Sequence, residues 1–218
     1  MNAHPTLVGA LALTFALVAA PWAATTSQAA PATTAPATAP AAPKLHAAMR
    51  ELWQGHAATT RDYADAVKAG DAAGAKKAAD AVVGNAKKIA DAVGGFYGDA
   101  AGKRMLELLA GHWGGVKALT DAGKAGDGAA GAKAMQDLAA NADAIAKFLS
   151  AANPNLPESA VKGLLVTHAG HHANLIGDIM KGDAAAAAKT WSAMQAHMDT
   201  IADALADGIA KQFPAKAG

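Results

Sequence analysis

The residues of this chain with the clearest potential for chemistry are histidines that recur at a fixed spacing. His56, His112 and His168 are 56 residues apart, and each lies within a helix-like run of apolar residues. A Gly-Asp pair follows each of these histidines after 14 residues. Self-similarity at a fixed period indicates that one supersecondary unit has been copied. The sequence therefore predicts three copies of a unit with a histidine at its centre.

The Gly-Asp pairs predict that each unit is a helical hairpin. Glycine ends a helix because it adopts positive φ, and aspartate begins the next helix by accepting its free amide hydrogens. Residues equidistant from such a turn face each other across the hairpin. We therefore expect a polar layer at mid-height of an otherwise apolar bundle, formed by His56 with Asn85, His112 with Asn141, and His168 with His197.

A transition-metal site is the chemistry that this layer favours. His168 and His172 share one helix face at i, i+4, and His197 lies across the hairpin from His168. Imidazole suits zinc, copper, nickel and iron, and the thioether of Met194, one turn from His197, favours copper. The expected ion is therefore copper or zinc. The predicted ligands, if all three hairpins close around one axis, are His56, His112, His168, His172, His197 and Met194.

A structural role for the same histidines is the alternative from another class. An unsatisfied buried polar group costs about 1 to 3 kcal/mol. Asparagine is a good hydrogen-bond partner for a neutral imidazole but a poor metal ligand. Asn85 and Asn141 would then satisfy the histidines internally, and the protein would be a structural or interaction module.

Composition excludes or disfavours several other functions. The chain has no cysteine, which excludes disulfides, thiol catalysis and covalent c-type haem. Only four Trp and four Phe are available to line a haem slot, and a di-iron centre would need inward glutamates, whereas Glu51 and Glu107 lie well round the helix from their histidines. A net charge of +1 gives no reason to expect nucleic acid or an anionic membrane as partner. We therefore expect metal storage, delivery or sensing, and not catalysis.

The amino-terminal segment is typical of an exported protein. An apolar run over 7–20 is too short to span a bilayer, so residues 1–29 are predicted to be a signal peptide. No Lys or Arg precedes the run, which leaves an uncleaved anchor as the alternative. Residues 30–43, rich in Ala, Thr and Pro, are predicted to be a disordered linker. The expected location is periplasmic or secreted.

The rest of the chain, 44–218, is predicted to be an all-α domain. Apolar residues at three- and four-residue steps predict six helices in three hairpins, over 44–98, 99–154 and 155–212. The preferred arrangement is a pseudo-threefold six-helix bundle, and a four-helix bundle with two accessory helices is the alternative. Gly94-Gly95 is expected to end the second helix, and Asn155 to cap the fifth.

Several short motifs also suggest a family. They are Leu52-Trp53-x-x-His56, Thr60-Arg61-x-Tyr63, Phe96-Tyr97-Gly98, Asn141-Ala142-Asp143, Phe148-Leu149-Ser150, Asn153-Pro154-Asn155, Ile201-Ala202-Asp203-Ala204-Leu205 and Gln212-Phe213-Pro214. In these motifs the chain resembles a widespread group of uncharacterised bacterial all-helical proteins with no established activity. The resemblance covers nearly all of the chain after the linker. It implies the helical fold and leaves the function unassigned.

Overall fold

The computed structural model describes residues 41–218, and this range is helical without β-strands. The predicted signal peptide and linker residues up to 40 lie outside the described residues. The first helix begins at Pro43, where a proline is well tolerated because the first turn needs no amide donor there. The helices are α1 Pro43–Ala69, α2 Ala72–Tyr97, α3 Asp99–Ala125, α4 Gly128–Ala152, α5 Glu158–Lys181, α6 Ala184–Gln212 and the short α7 Pro214–Ala217.

The three Gly-Asp turns have the predicted form. Each glycine is left-handed, with φ of 74°, 68° and 76° at Gly70, Gly126 and Gly182. The following aspartate accepts a hydrogen bond from the backbone amide three residues later, at 2.9 Å in every hairpin. Its own amide donates to the carbonyl five residues earlier, at 3.0 Å in all three turns. Each turn therefore ends one helix and begins the next within two residues.

The six long helices form a closed ring. Each helix contacts the helices before and after it in the chain, and α6 contacts α1 to complete the circle. The first helices of the hairpins, α1, α3 and α5, also contact one another at the centre. This arrangement does not fit a four-helix bundle with two accessory helices. None of the helices in 41–218 is both long and apolar enough to cross a bilayer.

Two apolar cores fill the ring at different heights. The base core includes Trp53, Met105 and Leu205, and the turn-side core, nearer the Gly-Asp turns, includes Val116 and Leu175. On α3 the base core ends at Leu109 and the turn-side core begins at Val116. Residue 112 falls between these limits. On α3, His112 therefore lies between the two cores.

The predicted ends of two helices were wrong. α2 continues through Gly94-Gly95 to Tyr97, because Gly94 allows a close approach to Gly102 of α3 and does not break the helix. Asn155 does not cap α5, whose preceding residue is Pro157. The backbone amide of Asn155 instead donates to Oδ1 of the fully buried Asn153. Nδ2 of Asn153 donates to the Tyr97 hydroxyl. The connection after α4 is thus held by Asn153.

The contact between α2 and α3 predicts opposite effects for two glycine substitutions on one helix. A Cβ at Gly102 would lie 3.0 Å from the Ala90 carbonyl oxygen and 3.1 Å from the Gly94 Cα. Because these are backbone atoms, Gly102→Ala should lower the free energy of unfolding by about 1 to 3 kcal/mol. A Cβ at Gly114 would have no atom within 4 Å. The control Gly114→Ala should therefore raise the free energy of unfolding by about 0.5 to 1 kcal/mol. Denaturant unfolding measures both, and equal effects would contradict the close approach.

Candidate metal centre

Four histidines meet at the centre of the ring. His56 lies on α1, His112 on α3, and His168 and His172 on α5. Their exposed fractions are 3%, 8%, 1% and 2%. The inner helices bring them together because each hairpin places its histidine at the same distance from its turn, while His172 adds a second ligand one helical turn from His168.

The four imidazoles are close enough to share one ion. One ring nitrogen from each of them lies within 4.8 Å of the corresponding atom of every other. The Nε2 atoms of His168 and His172 are 3.0 Å apart. The other ring centroids are separated by 5.4 to 5.9 Å. Nε2 of His56 and Nε2 of His112 are buried with no hydrogen-bond partner in the described chain. The cluster therefore holds ring nitrogens that the fold itself does not satisfy.

Burial keeps these histidines neutral. It lowers the pKa of His56 to about 3, with a further contribution from the neighbouring His112. It lowers the pKa of His112 to about 4, against a smaller opposing effect of Asn141. Burial and then the adjacent imidazoles also hold the pKa values of His168 and His172 well below the usual range. Each ring therefore has an unprotonated nitrogen at neutral pH, which is the form that binds metals.

The sequence predicted that Asn85 and Asn141 would bond to the histidine rings across each hairpin. Both asparagines bond to backbone carbonyls instead. Asn85 Nδ2 donates to the Leu52 carbonyl at 3.0 Å, and Asn141 Nδ2 donates to the Leu108 carbonyl at 2.9 Å. Each of these carbonyls belongs to the residue four positions before the histidine. The two carboxamide oxygens have no partner of good hydrogen-bond geometry in the described chain. The two asparagines therefore secure the inner helix beside the site.

His197 is the correction to the predicted ligand set. Its Nε2 lies 2.9 Å from the Leu164 carbonyl oxygen, which is the contact that the asparagines make in the other hairpins. Its half-buried ring lies beside His171 and outside the cluster of four. Across-hairpin position alone suggested a ligand, but the bond to the backbone turns the ring away from the centre. Met194 is fully buried in the base core, and its role as a sulfur ligand stays a prediction.

No carboxylate belongs to the cluster. Glu51, Glu107 and Glu158 are exposed, so the described chain brings no glutamate to the four histidines. A carboxylate-bridged di-iron centre needs inward glutamates, and the structure does not provide them here. The arrangement can coordinate one ion through nitrogen, and it holds no carboxylate that could transfer a proton at the site.

Comparison with known proteins leaves the assignment to this geometry. No family model, no curated protein and no solved structure matches the chain.

The neutral state of the cluster predicts acid sensitivity of the metal-free protein. In the unfolded chain histidines bind protons below about pH 6.5, whereas folded His112 and His56 do so only near pH 4 and pH 3. The unfolded state therefore binds more protons throughout this window. The free energy of unfolding should fall as the pH drops below 6.5, by up to about 1.4 kcal/mol per pH unit for each histidine.

Denaturant unfolding in the presence of a chelator, from about pH 8 to about pH 5, measures this slope. His172→Val should make the slope shallower by the share of one histidine. A midpoint that does not move with pH would contradict the buried neutral cluster.

Proposed function

We propose that this protein binds a single transition-metal ion, zinc or copper, through His56, His112, His168 and His172. The observation that carries the proposal is the convergence of four buried, neutral imidazoles on one point, two of them with unpartnered Nε2 atoms. An unsatisfied buried nitrogen costs about 1 to 3 kcal/mol. A bound ion would remove this cost at His56 and His112, whose Nε2 atoms have no partner.

The spacing of the ligand atoms supports tetrahedral coordination. Zinc binds imidazole nitrogen at about 2.0 to 2.1 Å, which places the nitrogens of a tetrahedron about 3.3 to 3.4 Å apart. The cluster has one nitrogen pair at 3.0 Å and none beyond 4.8 Å. Small ring rotations would therefore close the site.

A closed set of four protein ligands favours storage, delivery or sensing over catalysis. Catalytic zinc sites keep a coordination position open for water or substrate. Here four histidines would fill a tetrahedron, and each is at most 8% exposed. The predicted export to the periplasm or outside the cell and the resemblance to uncharacterised bacterial helical proteins belong to this proposal. So does the origin of the site in three pseudo-threefold copies of one hairpin, each of which contributes the histidine of its inner helix.

The alternative is a structural module whose histidines are satisfied internally. It predicts that the ring nitrogens at the centre have partners within the fold. His56 Nε2 and His112 Nε2 lack partners, and so does His168 Nδ1. These orphaned atoms favour the metal-binding proposal over the structural one.

Replacement of His172 tests the proposal with little disturbance of the fold. The equivalent positions in the other hairpins are Thr60 and Val116, so a valine fits this site in a neighbouring copy. His172→Val should weaken Zn²⁺ binding by more than about 100-fold. Replacing a residue that only hydrogen-bonds to a metal ligand lowers the affinity by at most about 100-fold. Titration against a competing chelator measures the affinity. The melting temperature of the metal-free variant should change little.

Thr60→Val is the matched control, because its hydroxyl bonds only to the backbone carbonyls of His56 and Ala57. It should bind Zn²⁺ as the unmodified protein does. With free Zn²⁺ at about 100 times Kd, the unmodified protein and the control should gain about 2.7 kcal/mol of unfolding free energy, and His172→Val should not. A large fall in the melting temperature of His172→Val with no metal bound to the unmodified protein would favour the structural module.

A further inference from the structure

The third hairpin has histidines at three positions where the other two hairpins have none. His171, His172 and His197 occupy positions that hold Thr59, Thr60 and Asn85 in the first hairpin and Gly115, Val116 and Asn141 in the second. His172 completes the central cluster. The other two lie together on the outer side of the same hairpin, with ring centroids 5.1 Å apart.

Neither of these two outer histidines is needed for its local structure. His197 makes the backbone contact that Asn85 and Asn141 make in the other hairpins, so that bond does not require an imidazole. When His197 donates through Nε2, its Nδ1 keeps a lone pair. His171 forms no hydrogen bond with any residue of 41–218, and threonine or glycine replaces it in the other copies.

The outer pair lies next to the buried cluster. His171 precedes His172 in the chain and follows His168 by three residues on the same helix. His171 and His197 are half-buried, whereas the central histidines are at most 8% exposed. An ion from solvent can therefore meet the outer pair without any movement of the bundle, while the central site is closed to it.

We propose that His171 and His197 form a second, exchangeable metal site that captures an ion and passes it to the central cluster. Two imidazoles from facing helices supply two nitrogen ligands and leave the remaining positions to water. With only two protein ligands, the site should release the ion rapidly. A captured ion is held at high effective concentration beside His168 and His172, which speeds its transfer inward. The inference rests on the proposed function for the transfer step, but not for binding at the outer pair.

The hairpin copies supply the variant that removes the outer site. His171→Thr and His197→Asn introduce the residues of the first hairpin. A Cβ at Gly55 or Gly111 would lie 3.0 Å from the neighbouring asparagine Nδ2, and Thr167 occupies the equivalent position. Thr167→Gly is therefore added to make room for the new asparagine. The single variant Thr167→Gly keeps both histidines and is the matched control.

Co²⁺ is the probe, because a tetrahedral nitrogen site absorbs visible light far more strongly than a hydrated two-histidine site. The unmodified protein and the control should bind two equivalents in equilibrium dialysis, and only one should give the strong absorption. The triple variant should bind one equivalent with the same final absorption. Its absorption should develop at least about tenfold more slowly in stopped-flow mixing, because it lacks the local supply of ion.

Equal stoichiometry and equal uptake rates in the triple variant and the control would overturn the outer site and leave the central one intact. His172→Val separates the two proposals further. It should lose the strong absorption and still bind one weakly absorbing equivalent, which the added outer-site substitutions then abolish. If the unmodified protein never develops the strong absorption, the central site fails, and dialysis of His172→Val with and without the outer pair still decides the outer one.

Discussion

The desolvation of four neutral imidazoles at one point is the constraint on which the rest of this structure depends. Their burial places polar rings inside a largely apolar interior, and it leaves ring nitrogens without partners. Apolar side chains at the same positions would avoid this cost. The fold therefore maintains a locally unfavourable arrangement, which the proposed coordination of an ion would make favourable. This pattern is typical of sites at which stability and function are coupled.

The Gly-Asp turns determine the depth at which the histidines meet. Because a helix rises by about 1.5 Å per residue, equal distances from equivalent turns place equivalent residues at one height. The left-handed glycine and the capping aspartate fix each turn within two residues, which leaves little freedom in that distance. The closed ring then determines direction, since only α1, α3 and α5 contact one another at the centre. Height and direction together produce the cluster.

The sequence predicted the helical class, the six long helices and four members of the cluster, because these follow from short-range periodicity and from one repeated spacing. It did not predict the orientation of His197, because a helix face specifies only a sector about 100° wide. Within that sector, the ring of His197 forms a hydrogen bond with the Leu164 backbone carbonyl. It misplaced the end of α2, because glycine serves both as a terminator and as a place of close helix contact. At Gly94 the outcome depends on the contact with Gly102, which lies on the next helix and cannot be inferred from the sequence of α2 alone.

The contact between α6 and α1 closes the ring of helices. His46 near the start of α1 lies 2.9 Å from Asp203 and 3.0 Å from Asp207 near the end of α6, so both ends of the domain lie together at its base. The order in which the chain visits the three hairpins is therefore incidental to the architecture. A circular permutant that begins at Asp99 and joins the end of α6 to the start of α1 through a short flexible linker would keep every contact between the long helices. Such a rearranged chain would still bring histidines from all three hairpins to the same centre.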